Sequence, residues 1–163
     1  MNGHHPVKIA NVFISKSLEN GDRLPHANLL KYAYLAQGVS LSRTGKPLIN
    51  GKIEVWVSGP VFPVIYYHFR YQGMFIKKMS SPLSLNPLRM FSNKLPHLSD
   101  TEAGVVDEVY GRYSKMQQTD FTAAYRKMSI PVSKHQLMLY GVLPNDLIRE
   151  FFDKKLNGAA GCA

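Results

Sequence analysis

The aromatic-rich run VWVSGPVFPVIYYHF at residues 55–69 is broken by Gly59, Pro60 and Pro63. Proline fixes φ and lacks an N–H donor, so neither one helix nor one strand can continue through the run. A membrane-spanning helix needs ~20 consecutive apolar residues. This run is bounded by Glu54 and Arg70, which predicts no membrane span. The chain must instead change conformation within it. Gly59 permits backbone angles that a side chain would block, Pro60 restricts them further, and Pro63 suits a helix's first turn, where its missing N–H costs nothing. The run therefore reads as strand, sharp turn at Gly59 and Pro60, then a helix over Val64, Ile65, Tyr66, Tyr67, His68 and Phe69 that closes near Gly73.

Upstream, KPLINGKIEVWV sets Asn50-Gly51, a dipeptide that tolerates positive φ in a two-residue turn, between Pro47-Leu48-Ile49 and the β-prone Ile53, Val55 and Val57. This predicts a short β-hairpin near residues 46–57. Side chains alternate along a strand, so Ile53, Val55 and Val57 should face one way and Glu54 and Trp56 the other.

Elsewhere the apolar period is helical. Val7, Ala10, Phe13, Ile14 and Ser17 mark a helix over residues 5–19, stopped by Gly21. Leu29, Leu30, Ala33, Ala36, Gln37 and Leu41 line one side of a second helix, whose end at Gly45 suits a left-handed C-cap. Ser99 and Glu102 form a capping-box pattern ahead of the stripe Val105, Val106, Val109, Tyr110, Tyr113 and Met116. A shorter helix is predicted over 120–127, before Pro131. A last one begins at Pro144 and Asp146 and offers Leu147, Ile148, Phe151 and Phe152 for burial. The expected fold is mainly α: one compact domain over 1–157 with about five to seven helices and one short hairpin, followed by a disordered tail at 158–163.

The formal net charge is +9 and is unevenly placed. Between Glu54 and Asp100 there is no carboxylate, while Arg70, Lys77, Lys78, Arg89 and Lys94 are all cationic. Residues 74–98 contain three prolines and no sustained period, so 70–98 reads as a basic loop or arm. Such long loops are uncommon in compact domains and tend to make contacts. Positive charge attracts acidic proteins and nucleic acid alike. Nucleic-acid binding through this arm is one reading, and it would be steeply salt-dependent. No helix-turn-helix spacing or base-stacking sheet accompanies it.

No constellation points to catalysis. The six histidines, His4, His5, His26, His68, His97 and His135, include no pair three or four residues apart, the usual helical metal-ligand spacing. A phosphate-cradling glycine loop and a nucleophile elbow are both missing. The single Cys162 rules out an internal disulfide framework and fits a reducing compartment. The N-terminal sequence lacks the basic start and long apolar core of a secretory signal. The expectation is a cytoplasmic, non-enzymatic protein with no cofactor and no metal.

Several segments together resemble the Panacea family, also called the SocA-like antitoxin domain. They are the opening IANVFISKSLE, the KYAYLAQG block with Lys31, Tyr34, Ala36, Gln37 and Gly38, and GKPL at 45–48. The most specific is EVWVSGPVFPVIYYHFRYQG, and LSDTEAGVVDEVYGRYSKM and LPNDLIREFF follow in order. The resemblance implies a mostly helical domain that neutralises a protein toxin by direct binding, with one branch delivering its toxin to a AAA+ protease. It also implies that Lys31, Gln37, Trp56, Gly59 and Pro60 are scaffold and candidate partner-surface positions. Tyr66 and Tyr67 are candidate aromatic anchors, and Arg70, Lys77, Lys78 and Arg89 would steer association. The sequence departs from the family pattern near 119–132. A Thr-His pair and a Pro-Trp are typical there, whereas this chain has Tyr125-Arg126 and Pro131-Val132.

Overall fold

A computed structural model of the chain describes residues 3–82, 95–131 and 139–158. Six α-helices run in the order α1 (Pro6–Glu19), α2 (His26–Thr44), α3 (Pro63–Phe69), α4 (Asp100–Tyr113), α5 (Gln118–Met128) and α6 (Asn145–Gly158). Four short strands, β1 (Leu24–Pro25), β2 (Glu54–Trp56), β3 (Gly59–Val61) and β4 (Phe75–Ile76), form two antiparallel pairs, β1 with β4 and β2 with β3. Among the described residues no helix is long and apolar enough to cross a membrane.

The second helix is the hub, packed by α1, α3, α4 and α6. The sequence suggests one buried stripe, yet Tyr32, Tyr34, Leu35 and Val39 are buried along with Leu29, Ala33 and Ala36. A helix enclosed on nearly all sides is apolar nearly all round, so its period is blurred. Gly45 ends it at φ 69°, with its N–H donated to the Leu41 carbonyl. The Ser99–Glu102 capping box that opens α4 is complete in both directions. Met116 lies beyond the end of that helix and is exposed.

The hairpin is displaced from the position suggested by Asn50-Gly51. Glu54 pairs with Val61, Val55 with Pro60 and Trp56 with Gly59, so Val57 and Ser58 make the turn. Val57 is therefore 84% exposed rather than aligned with the buried Ile53 and Val55. The physical reason is competition for the backbone of 48–50. Leu48 C=O and Asn50 N–H bond to His4, and Ile49 N–H is held by Gln37. The free edge of β2 is covered instead by 140–143, through Tyr140 N–H to Val55 O, Val55 N–H to Gly141 O and Leu143 N–H to Ile53 O.

Gly59 and Pro60 thus open a strand instead of forming the turn. Gly59 has φ 112°, and a β-carbon there would come within 2.9 Å of the Tyr125 hydroxyl. Tyr125 in turn donates to the Pro60 carbonyl.

Part of the expected arm is also structured. Arg70–Gln72 forms a 3-10 turn and β4 pairs with β1. Gln72 accepts from the N–H groups of Lys77 and Lys78 and donates to Lys78 O. The fully buried Asn11 bonds Ser80 in both directions. Arg89 and Lys94 lie outside the described residues, as does the tail after Gly158.

Candidate functional site: an aromatic face beside unpaired cations

Strand β2 and helix α3 bring three of the sequence-singled aromatics together. The Trp56 ring lies 4.9 Å from Tyr66 and 6.2 Å from Tyr67, centroid to centroid, and Tyr66 and Tyr67 are 5.1 Å apart. Indole N–H donates to Glu54 Oε2 at 2.9 Å, which satisfies its one polar atom and fixes the ring. Tyr140 completes the cluster at 6.3 Å from Trp56. Tyr140 takes φ 62°, a left-handed conformation unusual for a residue with a side chain. Sequence reading misses it, because only the pairing of 140–143 with β2 carries it there.

The cluster is open to solvent on one side, with Trp56 and Tyr66 partly buried against the core. Tyr67 is 55% exposed and Tyr140 62%, and Val57, Val64, Tyr71 and Met74 are exposed as well. Beside it, His5, Val7, Pro63, Val64, Tyr67 and His68 line a groove of about 370 Å³. His5 Nδ1 accepts from Val7 N–H, capping α1, and His68 Nε2 meets Ser80 Oγ at 2.9 Å. Burial lowers the pKa of both histidines, with further lowering of His5 by Lys8 and of His68 by His5.

One cation borders this face, and two more lie further along the same segment. The Arg70 guanidinium lies 5.0 Å from the Tyr67 centroid, and Lys77 and Lys78 are exposed on the segment held by Gln72. Among the described residues none of these three joins an ion pair. The ion pairs formed there use His4, Lys16, Arg43, Lys115, Arg149 and Lys154.

Two singled-out residues lie elsewhere. Gln37 is fully buried: its amide accepts from Ile49 N–H at 2.8 Å and donates to Ile49 O and Asn145 Oδ1. In the folded chain it is scaffold and offers nothing to a partner. Lys31 is partly buried on α2, with its ammonium over the Phe121 and Tyr125 rings. Among the described residues no three His, Cys, Asp or Glu side chains are grouped to hold a metal ion.

A family model described as "Antitoxin SocA-like, Panacea domain" matches residues 29–128. The chain belongs to this family. The matched stretch of the Panacea domain takes in α2, the hairpin, α3, α4 and α5, and therefore Trp56, Tyr66 and Tyr67. The chain is also similar to Antitoxin SocA of Caulobacter vibrioides, at 37% identity over 65 residues, 40% of this chain. That alignment spans 35% of the relative's length. No solved structure matches the chain.

Proposed function

We propose that this Panacea-domain protein is a non-enzymatic, antitoxin-like binding module that neutralises a partner protein toxin by direct contact. The observation that carries the reading is the cluster of Trp56, Tyr66, Tyr67 and Tyr140, in which Tyr67 and Tyr140 are exposed and Arg70 lies beside Tyr67. Lys77 and Lys78 are exposed further along the same segment, and none of the three cations is ion-paired among the described residues. Aromatic rings with satisfied polar atoms desolvate easily and make interface hot spots, whereas unpaired cations at the rim speed the approach of an acidic surface. Membership of an antitoxin family and the likeness to a protein named Antitoxin SocA support a toxin as the partner. On this reading the protein acts in the cytoplasm and passes its bound toxin to a AAA+ protease, as one branch of the family does.

The test is affinity purification of the tagged protein from its native host, with and without nuclease, followed by co-expression of any retained partner that is toxic alone. A nuclease-resistant partner whose toxicity is suppressed supports the reading. Trp56→Ala and Tyr67→Ala should each weaken that complex by about thirtyfold, the scale of an interface hot spot. A partner set that vanishes with nuclease would favour nucleic-acid binding through these cations instead.

A further inference from the structure

Among the described residues no carboxylate pairs with the charge of Lys31. Its ammonium is 5.3 Å from the Tyr125 centroid and 5.4 Å from that of Phe121. Ring faces attract a cation, but they offer no lone pair to its three N–H donors. Burial, and then the Arg126 guanidinium, hold the Lys31 pKa below the usual lysine value. All eleven carboxylates of the sequence lie within the described residues, yet neither Lys31 nor Arg126 forms an ion pair there. Glu19 and Glu54, outside the ion pairs, accept hydrogen bonds from Ser15 and Trp56.

Lys31 sits over its aromatic floor with the positive charge of Arg126, the residue after Tyr125, acting against its protonated form until an anion arrives. A carboxylate would gain charge-assisted hydrogen bonds from Lys31 and offset that repulsion. The floor is also tied to the aromatic face. Tyr125 donates its hydroxyl to Pro60 O, so the hairpin that carries Trp56 rests on the ring beneath Lys31. A nucleic-acid backbone is followed by a track of cations on an open surface, whereas Lys31 is one partly buried charge over a ring floor, suited to one group.

We propose that Lys31, floored by Tyr125 and Phe121 and with Arg126 as a neighbouring charge, forms a receiving site for one acidic side chain of a protein partner. The proposal rests on the protein-binding reading and adds a specificity-determining subsite to it. It also gives the Tyr125-Arg126 departure a role: Arg126 supplies the neighbouring charge and Tyr125 the floor.

The test follows the Lys31 side-chain resonance by NMR while the full chain is titrated with a hexaglutamate peptide and, separately, with a thymidine oligonucleotide. The peptide should shift the resonance saturably and raise the Lys31 pKa, and Arg126→Gln should weaken that response about tenfold. Lys31→Met keeps the apolar stem, so it should abolish the site while melting at or above the temperature of the parent chain. The proposal is overturned if the peptide leaves Lys31 unmoved, if only the oligonucleotide moves it, or if Lys31→Met melts well below the parent. The probe is a peptide and not the toxin, so this outcome is separate from the co-expression result. Failed toxin suppression with intact peptide binding would count against the antitoxin reading alone.

Discussion

Phe152 of α6 lies with its ring directly against Gly38 of α2, so close that a β-carbon on Gly38 would overlap it. The same ring meets Tyr34 edge-on at 5.6 Å, so the closest approach of the two helices is an aromatic seated where a side chain is missing. Glycine inside a helix is unfavourable by about 1 kcal/mol relative to alanine. Gly38→Ala recovers that term but overpacks the contact, at a cost of about 1–3 kcal/mol. The variant should melt below the parent. Phe152→Leu should restore part of the loss in the Gly38→Ala background while destabilising the parent, a coupling that a double-mutant thermal-melt cycle will read.

The neighbouring Gln37 predicts a different signature. Its amide supplies the hydrogen bonds of the Ile49 backbone in a site closed to water, much as a neighbouring strand would. Gln37→Leu keeps the approximate size and removes both bonds to Ile49 together with the one to Asn145 Oδ1. It leaves a buried N–H and C=O unpaired at about 1–3 kcal/mol each. Expected results are a lower melting temperature and markedly faster hydrogen exchange at the Ile49 amide. Affinity for the proposed partner should be unchanged below the melt, because Gln37 is fully buried.

These two residues show what was legible in the sequence. Helix ends that depend on local chemistry, such as the Ser99–Glu102 box and the Gly45 cap, could be read directly, because the signal and its effect lie within one turn. The hairpin turn was misplaced because Asn50-Gly51 is a sound local signal overruled by a distant one, the claim of His4 and Gln37 on 48–50. Trp56, Tyr66 and Tyr67 could be grouped in advance because they are close in sequence. Tyr140 and Arg126 could not, since each reaches its neighbours only through tertiary structure.

Stability should fall with acid from about pH 6.5 downward. His26 stacks on Tyr66 at 5.4 Å, its buried Nε2 has no hydrogen-bond partner among the described residues, and burial holds its pKa below the ordinary 6.5. Burial acts in the same direction on His5 and His68. Between the lowered folded value and 6.5 the unfolded chain binds the extra proton, so lowering pH through that window favours unfolding. Denaturant midpoints measured across the window should decline with pH. His26→Phe, which keeps the stacked ring and cannot titrate, should show a shallower decline; an identical slope would remove His26 from the effect.

Charge reversal at Lys77 and Lys78 separates steering from affinity. Gln72 holds both residues by their backbone, so Lys77→Glu and Lys78→Glu leave the holding bonds in place and should not change the melting temperature. Neither cation has an ion-pair partner among the described residues, so each field acts outward. Long-range attraction between charged surfaces raises the rate of encounter more than the lifetime of the complex, and it is screened beyond about 10 Å at 0.1 M salt. With the proposed partner, once purified, the double reversal should slow association by about tenfold at low salt and leave dissociation nearly unchanged. The gap from the parent should close as salt is added. A reversal that speeds dissociation instead would place Lys77 and Lys78 inside the contact, beside the aromatic anchors. Unchanged kinetics would remove this segment from the binding mechanism.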